Sequence, residues 1–103
     1  MWFLTVQAIP KPNVLATEDL GGAAVHCWIN FPAPDGALQL VNFYLDNDGW
    51  LVTNVEYQTW VEIDQYNPED AGYKYAMEAV KDGASFLIQA YPAEKVKEIG
   101  GIG

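Results

Sequence analysis

The chain has 103 residues, half of them hydrophobic and 14% aromatic, which is enough apolar material for one packed core and too much for a disordered segment. Fourteen acidic residues stand against five lysines, with no arginine, for a net charge of −9. Without arginine or a basic patch, direct binding to nucleic acid or an anionic membrane is not expected, and the charge steers the protein toward basic partners.

Residues 2–9 (WFLTVQAI) are apolar and partly β-branched and predict a first strand, ended by Pro10 and Pro12. This opening has no basic n-region and too short an apolar run for a signal peptide or a membrane span. A single cysteine, Cys27, makes no internal disulfide, so the expected compartment is the cytoplasm. Residues 13–23 read as a connection, with a helical turn at Thr17-Glu18-Asp19-Leu20 and Gly21-Gly22 near its end. Three strand-like runs follow, 24–31, 37–45 and 50–64, separated by the turn signals PAPDG and DNDG. Asn67 then suits an N-cap, Pro68 the first helical position, and Glu69 and Asp70 the positive end of a helix dipole. Tyr73, Ala76, Met77 and Val80 recur at helical spacing and are expected to face the core, with Gly83 as the stop. Residues 84–91 (ASFLIQAY) predict a last strand, and residues 93–103 a flexible tail with one short helical turn. The order is β-β-β-β-α-β. It describes one small α+β domain over residues 1–103, with a four- to five-stranded, largely antiparallel sheet and one main helix.

The most motif-like stretch is LDNDGW, residues 45–50. An EF-hand loop with Gly49 at its sixth position would place Tyr44 first and Val55 twelfth, and neither is a ligand. A hairpin suits it better: Asn47-Asp48-Gly49 forms a three-residue loop with Gly49 in the left-handed region. That turn sets Leu45 opposite Leu51, Phe43 opposite Thr53 and Val41 opposite Val55. A five-residue loop at Pro32–Gly36 sets Cys27 opposite Val41 and Val25 opposite Phe43, so both turns agree on one core face.

The reverse face then carries Trp28, Leu40 and Glu56 in one row, His26, Asn42 and Asn54 in the next, and Ala24, Tyr44 and Val52 in a third. Asn30, Leu38 and Gln58 follow, with Trp60 beyond. His26, Trp28, Leu40, Asn42, Tyr44, Asn54, Glu56 and Trp60 therefore form the expected binding surface, aromatic bodies mixed with hydrogen-bonding tips. Three uses compete: a second core under the helix or tail, self-association into a homo-oligomer, and a site for a small molecule or foreign protein.

Other chemistry is weakly encoded. His26 and Cys27 are neighbours on a strand and point to opposite faces, which rules out a dyad. His26 and Glu56 share a face, so a small-molecule or weakly catalytic pocket centred on them is an alternative. One histidine and one cysteine do not make a zinc site, and the acidic cluster Glu62, Asp64, Glu69 and Asp70 reads as a solvated strand end and helix start. No glycine-rich phosphate loop is present, and no cofactor or metal is implied. A second alternative is an acidic inhibitor or nucleic-acid mimic that occupies a basic groove, although its carboxylates form no regular stripe. The leading expectation is a non-enzymatic acidic interaction module, self-associating or bound to a basic protein through the aromatic-polar face.

Overall fold

The computed structural model describes residues 1–15, 17 and 19–93. The chain runs through β1 (Trp2–Pro10), β2 (Leu20–Ile29), α1 (Pro34–Asn47), β3 (Trp50–Trp60), a 3-10 turn at Ile63–Gln65, α2 (Tyr73–Asp82) and β4 (Ala84–Pro92). This is an α+β fold with a four-stranded antiparallel sheet, as expected. One element differs: the segment expected as a strand over 37–45 is helical.

The helix has its own local logic. Pro34 occupies the first turn, where its missing N–H costs nothing, and Asp35 sits at the positive end of the dipole. Ala37, Val41 and Leu45 recur every four residues and are buried against the sheet. The DNDG stretch ends this helix and does not turn a hairpin. Asp48 is the C-cap, and Gly49 follows with φ at 94°, the left-handed conformation a helix end favours. Asp46 pairs with Lys11 at 2.9 Å. A helix end with strand β3 after it also lacks the flanking geometry of an EF-hand loop.

Making α1 a helix changes the sheet. Strand order is β3-β1-β2-β4, with β1 antiparallel to both β2 and β3. β2 and β3 therefore run parallel with β1 between them, which requires a crossover, and α1 supplies it. The expected pairing of residues 37–45 with β2 and β3 is replaced by β1 pairing with both. Leu4 lies opposite Cys27, and Val6 opposite Val25 and Val55. Cys27, Val25 and Val41 still share a core, but across a helix–sheet interface.

Alternation along the strands divides the sheet into two faces. Leu4, Val6, Ala8, Ala23, Val25, Cys27 and Ile29 point to the α1 side and are at most 1% exposed. Each large aliphatic side chain buried there contributes about 1.5–3 kcal/mol against exposure. On the opposite face, α2 covers one end of the sheet. Met1, Trp28, Ala76 and Ala79 form a second core there, joined by Phe3, Tyr66, Tyr75 and Leu87.

α2 begins later than its sequence signals suggest. Its N-cap is Gly72, while Asn67 closes a preceding turn in which its N–H donates to Asp70 Oδ2 at 2.9 Å. The helix packs on the sheet through Ala76 and Ala79, and Met77 and Val80 are exposed rather than core-facing. Two alanines let the helix approach the Trp28 ring, on which Tyr75 stacks at 5.1 Å. Gly83 ends the helix as expected, also with φ at 94°. The helical turn expected at Thr17–Leu20 includes Glu18, which lies outside the described residues, and Leu20 already belongs to β2. The tail expectation, beyond Ala93, also falls outside them.

Candidate functional site

The eight residues expected on one face are split between two sides of the sheet and two of its strands. Leu40, Asn42 and Tyr44 lie on α1, not on a strand, and so on the far side of the sheet from His26. Leu40 packs against the first core, and the Asn42 side chain donates to the Leu38 carbonyl. Tyr44 leans over Phe86 of β4 at 5.7 Å. Trp28 is 4% exposed beneath α2, its indole N–H donating to Tyr66 Oη at 3.0 Å, so it is core and not surface. Trp60 lies opposite Trp2 at the end of β3, edge-on to it at 5.4 Å, with its N–H on Glu62.

His26, Asn54 and Glu56 remain on the side away from α1, beyond the part that α2 covers. β1 threads between them and supplies polar neighbours that were absent from the expected site, Thr5 and Gln7. The Thr5 hydroxyl and His26 Nδ1 are 3.2 Å apart, and His26 Nε2 and Gln89 Oε1 3.3 Å. A neutral imidazole satisfies both: Nε2–H donates to Gln89, and Nδ1 accepts from Thr5. The ring lies nearly parallel to Phe3, 8° apart, with centroids at 6.1 Å. Glu56 accepts separately from Gln7 Nε2 at 3.2 Å. Thus His26 and Glu56 share a face, but each bonds to its own neighbours rather than to the other. Among the described residues, no buried side-chain nitrogen or oxygen is left without a hydrogen-bond partner.

A different surface emerges along β3. This strand is one edge of the sheet, so among the described residues one side of its backbone has no partner strand. Leu51, Val55, Tyr57 and Trp60 are 40%, 37%, 54% and 44% exposed. Beside its first residues a groove of about 390 Å³ opens against α1, lined by Gln39, Asn42, Phe43 and Asp46 from the helix and Trp50, Leu51 and Val52 from the strand. Consecutive strand residues alternate faces, so a groove touching three in a row reaches the strand's backbone as well as its side chains. Phe43, the most exposed aromatic of α1, stands at its rim, 60% exposed. The sequence pattern concealed this surface because it paired residues 37–45 with β3 as a neighbouring strand.

β4, the opposite edge, is better covered. Phe86, Leu87 and Ile88 are half-buried, with Tyr44 above Phe86 on one face and the α2 core taking in Leu87 on the other. Among the described residues no helix is long and apolar enough to cross a membrane. Comparison with protein-family models, with curated proteins and with solved structures finds no match to this chain.

Proposed function

We propose that this protein is a non-enzymatic interaction module that takes an extended segment of another chain against the free edge of β3. The observation that carries this reading is an eleven-residue edge strand bearing four large side chains more than a third exposed, and no lysine, arginine or proline within it. Folded proteins defend long edges with such residues, because the row of unpaired N–H and C=O groups is a template for another strand. An edge without them, bent by bulges but not blocked, is suited to the addition of a flexible strand, in which main-chain hydrogen bonds supply affinity and side-chain pockets supply selectivity.

Lysine at Leu51 and Tyr57 gives the test. Both side chains are partly exposed, with Tyr57 edge-on to Phe3, so the double variant L51K/Y57K is expected to fold with a modestly lowered melting temperature. Protein captured from cell lysate by the wild-type chain should be lost with this variant and retained with His26→Ala. Equal capture by wild type and L51K/Y57K would remove the β3 edge from consideration. Loss with His26→Ala alone would move the site to the polar face around that residue.

A further inference from the structure

We infer that the occupant of this edge is a short, extended, positively charged segment, with an apolar side chain seated in the groove between α1 and β3. The inference rests on β3 being the binding edge, and three independent observations specify what fits there.

The first is charge. From residue 12 to residue 73 the chain has no lysine or arginine, while Asp35, Asp46, Asp48, Glu56, Glu62 and Asp64 lie on or beside α1 and β3. Lys11, immediately after β1, is engaged with Asp46. Apart from that pair, the charges on and beside α1 and β3 are acidic, which favours lysine and arginine in an approaching strand and disfavours a second copy carrying −9.

The second is the shape of the edge. Register shifts opposite Thr5/Val6 and Gln7/Ala8 interrupt the β1–β3 ladder, leaving Glu56 and Thr53 without direct partners. Bulges bend and twist a strand, and they blunt an edge against pairing with another rigid sheet. A flexible peptide follows such a bend, whereas two copies of β3 would have to match it along their length.

The third is the groove. It combines the Phe43 ring and Val52 with the amides of Gln39 and Asn42, and it opens beside residues 50–52 of β3, which pair with β1 without a register shift. A strand laid there presents alternate side chains to it. The bound segment thus has aliphatic or aromatic residues at alternate positions and basic residues between them.

Selection of a random strand-length peptide library on the full chain, then amide chemical-shift mapping of the selected peptides, tests this. The expected peptides carry net positive charge with alternating apolar residues, and they shift the amides of residues 50–55 and of Gln39, Asn42 and Phe43. Their affinity should fall about tenfold on Phe43→Ser, an exposed position whose loss leaves the fold intact, and it should weaken as salt is raised. Acidic or uncharged peptides that map to β3 would overturn the basic occupant while leaving the edge as the site. Peptides that map elsewhere, or a selection that yields none, would overturn both. A dimer whose β3 amides are protected would overturn the inference in favour of a second copy.

Discussion

Cys27 and His26 show how one backbone step separates two environments. His26 faces the open side of the sheet between Thr5 and Gln89, while Cys27 is fully buried among the aliphatic residues of the first core. Burial pushes the Cys27 thiol from its ordinary 9.0 up to about 12, because the thiolate would lose its hydration there. The raised value has a definite sign in stability. Between 9.0 and about 12 the unfolded thiol ionises and the folded one does not. The stability held by the protonated thiol is thus complete below 9.0 and drains away as the pH rises through this window. Urea titrations of wild type and Cys27→Ala across the window should show this extra slope in the wild type alone. Parallel curves would mean that the thiol does not sense burial in this way. The folded thiol should also resist alkylation in mildly alkaline buffer and react once the chain is unfolded.

Among the elements, the ends of α1 and α2 offer a matched comparison. Both helices finish at a glycine with φ at 94°, Gly49 and Gly83, but their surroundings differ. A Cβ at Gly83 would meet nothing within 4 Å, whereas one at Gly49 would meet Val14 Cγ1 at 2.9 Å and the Thr17 side chain at 3.2 Å. The Gly49 carbonyl also accepts from the Lys11 N–H at 2.9 Å and the Thr17 hydroxyl at 3.2 Å, which ties the β1–β2 connection to the start of β3. Gly83→Ala should therefore cost about 1 kcal/mol, the conformational penalty alone. Gly49→Ala should cost about 2–3 kcal/mol, since the neighbours must also move. Equal losses in denaturant titrations would show that the packing around Gly49 yields freely.

The same elements show where sequence reasoning lost its way. Residues 37–45 read ALQLVNFYL, with apolar runs at 37–38, 40–41 and 43–45 around Gln39 and Asn42. That is helical spacing, with a single β-branched residue, Val41, and Pro34 placed for a first turn. The glycine misled, because a helix end and a three-residue hairpin both need the left-handed conformation at Gly49. A register built from two presumed turns was self-consistent because apolar residues dominate the segment whichever way it is paired. The error carried Leu40, Asn42 and Tyr44 onto the wrong side of the sheet.

For the whole molecule, charge and the open edge act against each other. At pH 7 the net charge of −9 opposes the approach of a second copy to the exposed side chains of β3. As the pH falls toward the isoelectric point near 4.1, that repulsion vanishes while the unpaired backbone remains. Light scattering should report a monomer at pH 7 across a wide range of concentration, with mass rising as pH 4.1 is approached and rising less for L51K/Y57K. A dimer at pH 7 whose mass does not vary with concentration would contradict this balance, and the basic occupant with it.

Composition and local pattern by themselves determined the fold class, the antiparallel character of the sheet, four strand segments, the existence of the second helix and the left-handed glycine at position 49. Each of these depends on neighbours in the chain, through alternation, capping chemistry and the φ preference of one residue. Tertiary structure alone decided that β1 lies inside the sheet, that α1 crosses over it, that Trp28 lies under α2 and that β3 is an edge strand. Those outcomes depend on which apolar faces meet across long sequence separations, and several partners of similar hydrophobicity compete for each face. Hydrophobic burial is non-directional, so the pattern can say that a face is covered without saying by what.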